Sequence, residues 1–318
     1  MQIIRIHHPY SQQQIIAQPL VLALGFFDGV HRGHQAVIKQ AAAIAHQRQL
    51  PLAVMTFNQH PGIVFRRLDS EQMKYLTLQQ TKAELMADLG VDYLYIVEFT
   101  SAFGALSPQE FVEQYIVGLH AKVVVAGFDY TFGPEKATMQ DLPHYANHRF
   151  EVVKVAKQQK DASKISSTRI RQAVTAGDVD LAKALLGYPY RISGVVVHGE
   201  ARGRKIGFPT LNLHVNPALR IPGIGVYAVK VKLMGQWYAA MASVGRNVTF
   251  GADRAVTLEI YLLDFSQMVY GEHVEVAWFS RLRGEIRFAN AAGLVNQLKQ
   301  DKQHTRDYFA THSGQVAL

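Results

Sequence analysis

Not one of the 318 residues is a cysteine. Disulfides, thiolate-held metals and a cysteine nucleophile are therefore excluded, and any metal must be bound by oxygen or imidazole. Also missing is an apolar run approaching the roughly 18 residues of a membrane span, and the opening MQIIRIHHPYSQQQ lacks a basic start followed by an apolar stretch. These absences predict a chain that works in the cytoplasm with no membrane partner. No run of five like charges occurs, and no alternation of basic and aromatic residues of the RNA-binding kind stands out. Nucleic acid is accordingly not expected as a partner. The G-x-G-x-x-G turn of dinucleotide-binding proteins is absent from the first strand-to-helix junction, which argues against a redox dinucleotide.

What is present is apolar material and positive charge. Hydrophobic residues make up 48% of the chain, enough for packed cores, and the length fits two domains of roughly 100–200 residues each. Thirty-three Lys and Arg against 25 Asp and Glu give a net charge of +8. With nucleic acid and membrane set aside, this favours phosphorylated small molecules.

The first half reads as alternating strands and helices. PLVLALGFFD (19–28) is a short buried strand, GHQAVIKQAAAIAHQRQ (33–49) is helical with apolar residues near the 3.6 period, and LPLAVMTF (50–57) is strand again. Further on, Thr77 reads as an N-cap with Gly90 as the stop, and SPQE (107–110) supplies cap, N1 proline and capping-box glutamate. Each precedes an apolar strand, DYLYIVEF (92–99) or KVVVAGF (122–128). This grammar predicts an α/β domain with a parallel sheet and a ligand at the carboxyl ends of its strands.

The stretch GFFDGVHRGH (25–34) lies at such an end, where free backbone N–H groups and the helix dipole suit an anion. Gly25, Gly29 and Gly33 allow close approach of backbone to a phosphate, and His31 and His34, three apart, share one face of the first turn. A tight turn with two solvated histidines is the plainer alternative, and Asp28 is equally well a turn residue.

GFFDGVHRGH resembles the HxGH signature of the nucleotidyltransferase superfamily, in the long form of the FAD synthetase module of bacterial bifunctional riboflavin kinase/FMN adenylyltransferases. TFNQHP (56–61), GFDYTFG (127–133) and ISSTRIR (165–171) resemble that family's further motifs, in order. The resemblance implies a Rossmann-like nucleotidyltransferase fold that joins FMN to the adenylyl group of ATP, with His31 and His34 donating to the triphosphate and Arg171 gripping its end. It further implies that Gly25, Phe27, Asp28, Gly29, Gly33, Asp129, Ser167 and Thr168 contact nucleotide or flavin phosphate, Ser167 and Thr168 as hydroxyls capping the helix that follows. The chain departs from the family at FGPEKATMQDLP (132–143), which has Lys136 and no second glycine where an arginine and a glycine are usual.

Near residue 187 the pattern changes to six strand-like runs, a helix only after residue 289, and turn signals between. This predicts an antiparallel β-barrel with a terminal helix and a border that divides the chain into 1–187 and 188–318. The second half resembles the riboflavin kinase module. GEARGRKIGFPTLN (199–212) matches its glycine-rich flap and PTAN motif, with Leu211 in place of alanine. By that resemblance Gly203, Arg204, Lys205 and Gly207 close over phosphates, Thr210 and Asn212 hold Mg²⁺, Glu259 is the catalytic carboxylate, and Asn247 serves the flavin although its segment, GRNVTFG, lacks the usual proline.

The function so implied is two-step: riboflavin and ATP give FMN, then FMN and ATP give FAD and pyrophosphate. Riboflavin, FMN and ATP are the partners, Mg²⁺ the metal, FMN and FAD product and substrate in turn, and a homo-oligomer is compatible with the sequence. Two alternatives stay open: a riboflavin kinase with impaired adenylyltransferase, and a catalytically silent flavin- or nucleotide-binding regulator.

Overall fold

The computed structural model describes residues 1–200, 202–246 and 256–312. The chain forms two compact units, Met1–Ser167 and Thr168–Leu318.

In the first unit, strands β1 (Gln2–Ile6), β2 (Leu20–Leu24), β3 (Leu52–Phe57), β4 (Tyr93–Val97), β5 (Ala121–Gly127) and β6 (Glu151–Val155) make one parallel sheet in the order β1-β4-β3-β2-β5-β6. All five residues of β2, LVLAL, are buried, as a central strand covered on both faces requires. Its side chains alternate: Leu20, Leu22 and Leu24 enter one core, Val21 and Ala23 the other. Each such fully buried Val or Leu contributes about 1.5–3 kcal/mol.

Helix α1 (Arg32–Arg48) follows β2 and buries Val37, Ile38, Ala41 and Ala45 in the core that holds Val21 and Ala23; it stops at Gln49, which is left-handed. Helix α2 (Gln79–Asp88) packs into the same core through Ala83 and Met86. The capping box of Ser107 and Glu110 forms as expected and starts α3 (Pro108–Val112), which continues as a π-turn, Glu113–Val117, under the opposite face. Thr77 is not the cap of α2. Leu78 holds that position without a side-chain bond, because the Thr77 hydroxyl is engaged elsewhere. Chain order reverses between β2 and β5, so the crevice for a ligand opens at their carboxyl ends.

The second unit begins with α4 (Ser167–Ala176, apart from its first residue) and α5 (Val179–Leu186), which ends at a left-handed Gly187. Strands β7 (Tyr190–Val197), β8 (Leu211–Val215), β9 (Gly225–Leu233), β10 (Gln236–Gly245), β11 (Thr257–Leu262) and β12 (His273–Arg283) then close an antiparallel barrel in the order β7-β8-β11-β10-β9-β12. The terminal helix α6 (Ala291–Thr311) is pinned to it by a buried ion pair. Arg283 donates from Nε and Nη2 to the Asp301 carboxylate at 2.7–3.1 Å, and Gln297 adds a bond at 3.0 Å. Both the α/β unit and the barrel with its terminal helix are as the sequence predicts. Among the described residues no helix is long and apolar enough to cross a membrane.

Removing one partner of a buried pair strands the other charge. Asp301→Ala should cost the barrel about 3–5 kcal/mol, read in denaturant titrations by tryptophan fluorescence, since Trp237 and Trp278 both lie in the second unit.

Candidate active sites

The turn after β2 departs from ordinary backbone at three positions: Phe27, Gly29 and Val30 have φ of 55°, 82° and 32°. Side chains from elsewhere in the unit hold it there. Asp28, buried, accepts the N–H groups of Leu76 and Thr77 at 2.9 and 3.2 Å, and the Thr77 hydroxyl accepts the N–H of Gly29 at 3.0 Å. The Ser167 hydroxyl donates to the Asp28 carbonyl at 2.9 Å. Two glycines are fixed by space: a Cβ at Gly25 would lie 2.8 Å from the Phe27 ring, and one at Gly33 would lie 3.0 Å from the His31 ring.

His31 is the N-cap of α1, and its Nδ1 accepts the N–H of His34 at 3.2 Å. The two imidazoles stack at 3.5 Å between centroids, and His34 meets the Phe27 ring edge-on at 5.2 Å. His31 is 5% exposed, so the reading of two solvated histidines fails for it. Burial pushes its pKa down to about 4, with Lys164 acting in the same direction and Asp28 and Asp129 opposing. The ring is therefore neutral at pH 7. With Nδ1 accepting, its proton sits on Nε2, the atom free to donate to a ligand.

Asp129 is half-exposed and paired with Lys164, whose ammonium also lies 4.9 Å from the centre of the Phe128 ring. The departing 132–143 segment folds as a small hairpin, Thr131–Phe132 with Ala137–Thr138. Lys136 there has φ of 56°, a conformation that favours glycine, so the turn is made without the second glycine the family motif carries. Ser167 and Thr168 lie in the first turn of α4, not ahead of it. Thr168 and Arg171 belong to the second unit, where with Gln172, Thr175 and Arg220 they line a cavity of about 390 Å³.

A larger cavity, about 1090 Å³, opens in the barrel unit. Register sets Glu259 of β11 between Asn212 of β8 and Ser243 of β10, and all three line the cavity. Thr210 donates its hydroxyl to the Glu259 carboxylate at 3.2 Å, which leaves the Thr210 lone pairs open to a cation. Leu211, between the two oxygen-bearing residues, is not among the lining residues. The flap is a helical turn, Arg202–Lys205, and not the open loop that its glycines suggest. Gly203 is required there because a Cβ would overlap the Phe208 carbonyl, and Gly207 has φ of 81°. Lys205 lines the cavity, whereas Arg204 donates to the Tyr270 hydroxyl at 3.0 Å, and Tyr270 stacks on His198 at 3.8 Å. Asn247 lies outside the described residues.

Sequence reasoning missed Lys82, Lys164 and Ser243 and misplaced Thr77. Only Lys82 left a local signal, being four residues before the buried Met86 on the core face of α2.

A switch-point crevice ending in a stacked histidine pair, and a barrel cavity with a carboxylate beside two neutral oxygen donors, define an enzyme with two phosphate-transfer modules. A family model described as FAD synthetase matches residues 13–169, and one described as riboflavin kinase matches 186–309. Proteins named bifunctional riboflavin kinase/FMN adenylyltransferase are similar over almost their whole length. That of Listeria monocytogenes is 50% identical and that of Bacillus subtilis 42%, each aligned over 98% of this chain and 99% of its own. A crystal structure from Streptococcus pneumoniae, described as a macrolide-efflux protein, is 42% identical with a TM-score of 0.88, covering 95% of this chain and 99% of that one. The chain belongs to the family of bifunctional riboflavin kinase/FMN adenylyltransferases. It is thus an enzyme that makes FMN from riboflavin and FAD from FMN, and neither alternative, impaired adenylyltransferase or silent regulator, finds support.

The neutral state of His31 is directly measurable. Its ring should titrate by NMR with a midpoint near 4, and a midpoint at or above the ordinary ~6.5 would contradict it. The unfolded chain binds this proton first. The first unit should therefore lose up to about 3 kcal/mol of stability as pH falls from 6.5 toward 4, and His31→Asn should flatten that loss.

Proposed function

We propose that the two activities occupy the two sites just described, with 1–187 the adenylyltransferase and 188–318 the kinase for purposes of chemistry. The observation that carries this reading is the separation of donor sets: imidazole N–H groups on a rigid turn in the first unit, a carboxylate beside hydroxyl and amide oxygens in the second.

In the kinase, Glu259 accepts the proton of the ribityl 5′-hydroxyl as that oxygen attacks the γ-phosphorus of ATP and ADP departs. Thr210 Oγ1 and Asn212 Oδ1 are hard oxygens that fit Mg²⁺, the Asn212 amide lying so close over Gly199 that a Cβ there would overlap it. Bound there, the ion would neutralise phosphate charge. Lys205 adds fixed positive charge at the flap.

In the adenylyltransferase, an FMN phosphate oxygen forms a bond to the α-phosphorus of ATP as the bond to the bridging oxygen breaks and pyrophosphate leaves. His31 Nε2–H and His34 donate to the triphosphate as charge builds on it, and preorganised donors of this kind are each worth about 10²–10³ in rate. Thr168 and Arg171, the hydroxyl and guanidinium that the family motif assigns to the leaving phosphates, both line the smaller cavity of the second unit. Asp129 and Lys164, paired with each other and near enough for their charges to act on His31, would contact the nucleotide or the flavin phosphate. The cytoplasm, where ATP and riboflavin meet, is the working compartment.

Glu259→Ala should abolish FMN formation while leaving conversion of FMN to FAD, and His31→Ala should reduce FAD formation by about 10²-fold or more while leaving FMN formation. Chromatography of flavins after incubation with ATP and Mg²⁺ reads both. Loss of both reactions in either folded variant would refute the two-site assignment.

A further inference from the structure

Lys82 is a charged side chain almost wholly inside the first unit, 4% exposed, and nothing in the mechanism above uses it. From α2 its ammonium reaches under the His31 turn and donates to the Phe26 carbonyl at 2.8 Å, with the Thr56 hydroxyl of β3 at 3.5 Å. Thr56 donates to the same carbonyl at 2.8 Å, so the Phe26 oxygen accepts two bonds. The ammonium also lies 4.4 Å from the centre of the Phe26 ring.

That carbonyl belongs to the peptide leading into Phe27, the first left-handed residue of the turn. Were the peptide to rotate, the Phe27 ring would swing, and His34 rests edge-on against that ring while stacking on His31. Burial of an ammonium is costly, and a methionine of similar length would fill the space without that cost. A lysine retained there needs a role that packing does not supply.

We infer that Lys82 is a positioning residue for adenylyl transfer: its ammonium fixes the Phe26–Phe27 peptide and thereby aligns His31 and His34 with the triphosphate. This rests on the reading of Gly25–His34 as the adenylyl-transfer site. The titratable groups around Lys82 are Asp28 from the turn, whose charge acts on it, and Tyr75 and His60, which pack on the Phe26 ring that the ammonium faces. Burial pushes the Lys82 pKa down to about 8, and Asp28 opposes the shift. The charged donor therefore weakens to a neutral one as pH rises through 8.

The test measures FMN adenylylation by the full chain from pH 6 to 9.5 for the parent, Lys82→Met and His31→Ala, with riboflavin phosphorylation as the control in each preparation and circular dichroism reading the melting temperature. Lys82→Met should keep the kinase and melt no lower than the parent at pH 7. Its kcat for adenylylation should fall about tenfold with little change in KM, as expected when alignment in the transition state is lost. The parent's kcat/KM, which reports the free enzyme, should decline through about pH 8, and that limb should be missing from Lys82→Met. A kcat within twofold of the parent, an unaltered alkaline limb, or a loss of activity that merely follows a lowered melting temperature overturns the inference. Full adenylylation by His31→Ala would instead sink the site assignment on which the inference rests.

If Lys82→Met does not fold, the cysteine-free chain offers a second route. Lys82→Cys, alkylated with 2-bromoethylamine in denaturant and refolded, carries an ammonium of nearly lysine length made more acidic by its thioether. Regained adenylylation with an alkaline limb at lower pH than the parent's supports the role. Regained kinase without adenylylation refutes it.

Discussion

The proposed adenylyl-transfer site depends on one constraint: a backbone turn with three left-handed residues must hold its shape before any ligand arrives. L-residues such as Phe27 and Val30 resist this conformation, and glycine supplies it freely only at position 29. The cost is met by hydrogen bonds from distant segments. Asp28 takes two N–H groups from the approach to α2, Thr77 takes one from the turn, and Lys82, Thr56 and Ser167 secure the carbonyls of Phe26 and Asp28. With its peptide groups thus occupied, the turn presents His31, neutral and with its proton on Nε2, at the mouth of the sheet's crevice.

The barrel solves a related problem by register. Antiparallel pairing sets Glu259, Asn212 and Ser243 in one row across three strands, and Thr210, just before β8, reaches the same carboxylate. No strained backbone is needed at the carboxylate itself. Close approach is confined to the flap, where Gly199 and Gly203 leave room for the Asn212 amide and the Phe208 carbonyl. On the proposed assignment the two units meet the same chemical demand, stabilising charge on a transferring phosphorus group, through different backbone devices.

Much of this was legible in the sequence because it is periodic or local. The alternating grammar of residues 19–128, the capping box at Ser107, the barrel strands and the terminal helix are all signals carried by neighbours in the chain. The contacts that make the turn rigid are not local. Asp28 meets Leu76 across 48 residues and Ser167 across 139, and no pattern around Thr77 tells that its hydroxyl faces Gly29 and not the start of α2. Arg204 illustrates the same limit: its bond to Tyr270 spans 66 residues, and no pattern in the glycine-rich flap announces that partner.

The most direct test of this account is amide hydrogen exchange at Gly29, Leu76 and Thr77 in the ligand-free protein. The account predicts protection at the level of the central strand β2, with exchange only when the whole first unit unfolds. Exchange at the rate of an open loop, slowing only when nucleotide is added, would show that the ligand organises the turn and would contradict it.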